Sequence, residues 1–98
     1  MGFGSLFKKD KTYARHELLG KGTNLLASGK MEKAIKCFDK AIKSDPGFVD
    51  AWINKGYTLH HLGKHEESIV CIRKVLELDP NNEAALYNIK AFGYEEHF

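Results

Sequence analysis

Long apolar runs are missing from this chain. No stretch approaches the roughly 18 consecutive apolar residues that a membrane-spanning helix needs, and no signal-peptide pattern is present. Cysteine is scarce: Cys37 and Cys71 are the two in the chain, too few for a disulfide framework or a four-thiolate metal site. A large excess of one charge is also lacking. The formal net charge is +2 and the pI about 8.5, which gives no bulk electrostatic case for nucleic acid. The excess that exists is local, because Lys8, Lys9, Lys11 and Arg15 outweigh Asp10 and leave the repeats slightly acidic. These absences point to a cytoplasmic chain of one small soluble domain. With 98 residues, 43% of them hydrophobic, its core is near the lower limit of independent stability.

Catalytic constellations are absent as well. A zinc protease needs His-Glu-x-x-His on one helix. Here His61 and His65 straddle a glycine turn at Gly63, and the segment from His65 to Ile69 lacks the second histidine. The pairs Glu66-Glu67 and Glu95-Glu96 are adjacent in sequence, so they diverge on a helix and give no paired-carboxylate geometry. There is no glycine-rich phosphate loop and no serine or cysteine in a nucleophile elbow. His60, His61 and His65 read as polar residues at a helix end and turn. The expectation is therefore no enzyme, no cofactor and no metal.

What the chain does contain is its own text twice. Sliding the sequence by 34 residues superimposes Lys21 on Lys55, Gly22 on Gly56, Leu25 on Leu59 and Gly29 on Gly63. Ile35 falls on Ile69, Cys37 on Cys71, Asp45 on Asp79 and Pro46 on Pro80. Each copy carries two amphipathic stretches with apolar residues at the spacing of three and four that lines one side of a helix. In the first copy these run from Lys11 to Ser28 and from Met31 to Ser44, broken by Gly29 and stopped by Asp45-Pro46-Gly47. Thr12 is positioned to cap the first, since its hydroxyl can accept from an unpaired amide.

A helix–turn–helix unit of about 34 residues with the pattern W-x2-L-G-x2-Y, then A-x3-F, then P resembles the tetratricopeptide repeat. The second copy supplies Trp52, Gly56 and Pro80, with Lys55, Leu59, Ser68 and Ile72 as departures. The first supplies Gly22, Ala34, Phe38 and Pro46. The resemblance implies an all-α fold, a TPR-type α-solenoid of two helix-turn-helix repeats plus a C-terminal capping helix. The repeats cover 15–48 and 49–82 and the capping helix 83–96, within a domain at 12–98 preceded by an arm at 1–11. Glycine at positions 22 and 56 lets the two helices of a repeat approach Ala34 and Ser68 closely. Equivalent cysteines on neighbouring helices are about 10 Å apart at ordinary helix spacings, beyond the roughly 7 Å that a disulfide spans; both are expected to be reduced packing residues.

The resemblance also implies that the first helix of each repeat lines a groove that receives a peptide or helix of another protein. The groove positions by that analogy are His16, Leu19, Thr23, Leu26, Asp50 and Ile53, then Asn54, Tyr57, His60, Ala84, Tyr87 and Asn88. Asn54 and Asn88 recur at the repeat interval and offer donors and an acceptor for a ligand's backbone. Tyr57 and Tyr87 offer rigid amphipathic area. One subclass of the family clamps acidic chaperone tails with lysines, an arginine and asparagines. Only Asn54 matches that clamp, while Leu19, Thr23, Ala84 and Asn88 stand where its other members belong, which argues against such an adaptor.

Two repeats and a cap fall short of the three or so repeats that a stack usually needs. Either the arm, with Phe3, Leu6 and Phe7, covers apolar surface on the first repeat, or a second copy of the chain supplements the core. The arm's aromatic and basic residues also suit an anionic membrane surface. Gly2 is no myristoylation signal, because Leu6 stands where serine or threonine is required. Two function classes result: a protein-interaction module, and an assembly unit acting through homo-oligomerisation or surface attachment. RNA binding ranks below both, since the groove lacks a basic stripe.

Overall fold

The computed structural model describes the backbone of residues 3–98 and the side chains of residues 13–98. The described residues form helices and turns without strands: α1 (Phe3–Ala27), α2 (Met31–Ser44), α3 (Val49–His61), α4 (His65–Leu78) and α5 (Glu83–Ala91), then a 3-10 turn at Glu95–His97. Helix α1 packs on α2 and α3 on α4, while α2 joins the two pairs by packing on α3. Helix α3 also touches α1 on one side and α5 on the other. This is an α-solenoid of two helix–turn–helix repeats closed by a single helix.

The interruptions follow from the residues that make them. Gly29 and Gly63 have φ of 80° and 81°, a left-handed conformation that costs a Cβ-bearing residue about 1–2 kcal/mol. There the chain reverses so that Lys30 N donates to Leu25 O at 2.8 Å and Lys64 N to Leu59 O at 2.9 Å, occupying carbonyls that the helix end leaves unpaired. The second helix of each repeat ends at Asp45 or Asp79, whose amides donate to Ala41 O and Val75 O. The prolines that follow cannot extend the helix.

Helix α1 begins at Phe3 and not near Thr12. No proline lies between Phe3 and Ala27, and a capping residue marks a start only where the upstream segment is not itself helical. The readings placed on the side chains of residues 1–12, as a cover for the first repeat, a membrane contact or a contact with another chain, lie outside the described residues, as does Gly2.

The crossings inside the two repeats are close but not identical. A Cβ at Gly22 would stand 2.4 Å from the Phe38 ring, and one at Gly56 would stand 3.2 Å from Cys71 Cβ. Phe38 and Ala34 are completely buried. Ser68 replaces alanine in the second repeat and is also completely buried, because its hydroxyl donates to Gly56 O at 2.7 Å. Lys55 is placed by Asp39 of the preceding repeat, with Nζ 2.7 Å from its carboxylate. Trp52 ties down the junction by donating from Nε1 to Pro46 O at 2.8 Å. Cys37 and Cys71 are both free thiols. Burial pushes the Cys71 thiol up to about 11, with Lys55 opposing and Asp39 and Glu67 adding to the rise.

Asn82 caps α5, its Oδ1 accepting from Ala85 N at 2.9 Å. The helix has 9 residues where α3 has 13, one turn fewer. Gly93, at φ 75°, makes the same reversal as the two earlier glycines, and Tyr94 N donates to Ile89 O at 2.8 Å. Ala85 and Ile89 face back onto the second repeat and are buried, as their spacing requires. Leu86, next to Ala85 on the same helix, is 48% exposed.

Candidate functional site

Helices α1, α3 and α5 stand side by side, since α3 contacts both of the others, and the expected groove residues all belong to these three. Not all have side-chain surface to offer. Leu19 is half-buried against Ala41, Phe48 and Ala51, and Ile53 is half-buried against the cluster containing Ile69, Ile72 and Ile89. Both contribute mainly to the core. Thr23 turns its hydroxyl onto its own helix, donating to Gly20 O at 2.9 Å. His16 is exposed and meets Phe48 edge-on, with ring centroids 5.3 Å apart.

The richer half of the face lies on α3 and α5. Tyr57 is 41% exposed and Tyr87 is 72% exposed. Asn54 donates one N–H to Asp50 O at 2.9 Å, leaving its carbonyl oxygen and second N–H for another partner. Asn88 is half-buried. Asp50 and Ala84 are exposed, and Leu26 is half-buried.

A histidine–aromatic cluster closes the C-terminal end of the face. Tyr57 stacks at a tilt on His61, centroids 4.3 Å apart, and lies 6.2 Å from Phe92. Phe92 stacks flat on His60 at 3.8 Å and 7°. Beneath them Tyr94 is 5% exposed, and its hydroxyl stands 2.7 Å from His60 Nδ1 and 2.9 Å from His65 Nδ1. Burial, then the neighbouring His61 and His65, hold the His60 pKa below its ordinary value. Read from the sequence, the three histidines were unremarkable polar residues. The signal that could have found the cluster is Gly93: it follows Gly63 by 30 residues and not 34, which shortens the helix and turns Tyr94 back toward the second repeat.

No group of three His, Cys, Asp or Glu among the described residues is arranged to hold a metal ion. No described helix is long and apolar enough to cross a membrane.

A family model described as tetratricopeptide repeat matches residues 49–82, and a second, described as TPR repeat, matches residues 22–63. No curated protein matches the chain. Among solved structures it is similar to the first TPR of Spaghetti (RPAP3) bound to the HSP90 peptide SRMEEVD, at 21% identity and a TM-score of 0.47, covering 88% of this chain and 95% of that one. The two matched segments span α3–α4 in full and the glycine crossing of α1 on α2, and the chain belongs to the tetratricopeptide repeat family.

Proposed function

We propose that the chain is a protein-interaction module that holds a peptide or helix of a partner against the face made by α1, α3 and α5. The observation that carries this reading is the pair of exposed tyrosines on that face, Tyr57 at 41% and Tyr87 at 72% exposure. Tyrosine buries a large area at the cost of two torsions and keeps a polar tip, which is why it concentrates binding energy at interfaces. Asn54 and Asn88 flank the two rings in sequence and add backbone-reading groups at the repeat interval. The face is poor in cations: Leu19, Thr23, Ala84 and Asn88 supply none, so the ligand it suits is neutral and amphipathic and not a polyanionic tail. The module works by binding and not by catalysis.

The test is capture of partners from lysate by the wild type and by the Tyr57→Ala/Tyr87→Ala double variant. The variant should lose its partners while its helical circular dichroism is unchanged. Equal capture by both proteins removes the face from consideration.

Self-assembly is the second reading, and Leu86 favours it. This residue occupies the place of Trp52 in the repeat register, yet it is 48% exposed on the last helix. Sedimentation velocity across a concentration series checks it: a dimer that dissociates in Leu86→Glu supports assembly through α5, and a monomer at all concentrations disposes of it.

A further inference from the structure

We propose that the segment following α5 is a pH-sensitive latch, closed by the hydroxyl of Tyr94 bridging His60 of α3 and His65 of α4. Protons at the Tyr94 hydroxyl are few. Tyr94 Oη lies 2.7 Å from one Nδ1 and 2.9 Å from the other, and a phenol carries a single proton. It donates that proton to one ring and must accept an N–H from the other. Two neutral imidazoles of opposite tautomer satisfy this arrangement. One imidazolium also satisfies it, because the ring that already donates can carry a second proton on its far nitrogen. Two imidazoliums do not: both ring N–H groups then point at the phenol oxygen, its own proton loses its ring acceptor, and two positive rings face each other 5.0 Å apart.

The surroundings do not relieve that conflict. His61 of α3 lies 5.2 Å from His60, His65 lies 5.0 Å from it, and His97 of the C-terminal turn lies 6.2 Å from Tyr94, all measured between ring centroids. The remaining side chains recorded against these rings are Tyr57 from α3 and Phe92 after α5. Lys64, Glu66, Glu95 and Glu96 flank the cluster in sequence but are exposed, and among the described residues no carboxylate pairs with His60 or His65. Positive charge arriving here meets only further histidines.

The sign follows from the direction of the His60 shift. Its pKa is lowered in the closed form, so the open form binds more protons. Closure is complete above the ordinary histidine value of about 6.5 and is lost as pH falls below it. The latch opens when both rings facing the Tyr94 hydroxyl carry charge. Opening separates Phe92 from His60 and exposes the Tyr57 end of α3, leaving Arg73 to hold the end of the segment through its bond to His97 O at 2.8 Å and its place over the Phe98 ring.

Amide hydrogen exchange on the whole chain between pH 7.5 and 5.0 tests this, after correction for intrinsic exchange rates. The reporter is the Tyr94 amide, bonded to Ile89 O, and the reference is the Phe38 amide inside α2. Tyr94 protection relative to Phe38 should fall as pH drops, by about tenfold per unit once the second proton is taken up. Tyr94→Phe keeps the ring and removes the bridge, so the relative pH step should vanish. His65→Gln, at an exposed position that leaves the core untouched, should abolish it too. Parallel loss of protection at Tyr94 and Phe38 overturns the proposal, and so does an undiminished step in either variant.

Discussion

Three glycines in first helices of the repeats make a graded test of how closely the helices cross. Replace each of Gly20, Gly22 and Gly56 by alanine. All three gain helix propensity, about 1 kcal/mol in a helix interior. They differ in what the new methyl meets. At Gly20 nothing lies within 4 Å, so the gain stands alone. At Gly56 the nearest atoms are Cys71 Cβ at 3.2 Å and Ser68 O at 3.5 Å, and a shift of a few tenths of an ångström cancels most of the gain. At Gly22 the methyl would stand 2.4, 2.8 and 3.0 Å from three carbons of the Phe38 ring.

Phe38 cannot swing away, because its side chain is completely buried. Overpacking of a tight core costs about 1–3 kcal/mol, and a contact this short belongs at the upper end. Net destabilisation of Gly22→Ala is then about 2 kcal/mol. For a domain of this size about 1 kcal/mol moves Tm by 4–8 °C. Urea unfolding followed by circular dichroism should rank Gly20→Ala above wild type, Gly56→Ala near it and Gly22→Ala well below. Adding Phe38→Leu to Gly22→Ala should recover part of the loss, a coupling that residues in contact show and distant ones do not. A Gly22→Ala protein as stable as wild type would refute the close crossing.

Ser68→Ala restores the residue type found at Ala34 yet should lower stability by about 1 kcal/mol in urea titrations, because the bond to Gly56 O is lost. Against a disulfide reagent at pH 8, Cys37 should react well before Cys71, a residue 2% exposed whose thiol is pushed up to about 11; equal rates in the native protein would contradict its burial. Lys55→Met should change stability by less than about 1 kcal/mol, since its pair with Asp39 is partly solvated, and the small loss should shrink further in salt.

The scaffold was readable because its determinants repeat. Glycine at the crossing, glycine after the first helix and Asp-Pro after the second occur twice at one interval, and α2 spans the residues its pattern marked. Features without a second copy were not readable. Nothing between Ser5 and Thr12 breaks a helix, and a cap-like threonine inside a helical stretch is indistinguishable from one at its start. The end of the chain misled for the opposite reason. At the repeat interval Gly93 falls on Leu59, whereas in conformation it matches Gly63. The missing turn carries Tyr94 onto two histidines from different helices, a juxtaposition that neither stretch of sequence contains by itself.

The same contrast bears on recognition. Equivalent groove places hold His16, Asp50 and Ala84, then Leu19, Ile53 and Tyr87, then Thr23, Tyr57 and Ala91. Fold-setting positions are therefore copied while the face, Asn54 and Asn88 apart, is not, as expected if packing constrains the former and a particular ligand the latter. On the proposed reading the contact energy is uneven along the stack. Leu19 and Thr23 have turned their groups into the core or their own helix, and the exposed tyrosines among the groove positions sit on α3 and α5. Alanine at Tyr57 or Tyr87 should each weaken partner binding by about 2 kcal/mol or more, the scale of an interface hot spot. Alanine at His16 or Thr23 should change it by less than about 1 kcal/mol. Titration calorimetry against a captured partner measures the gradient, and a ligand held mainly through His16 and Thr23 would place the binding site at the opposite end of the face.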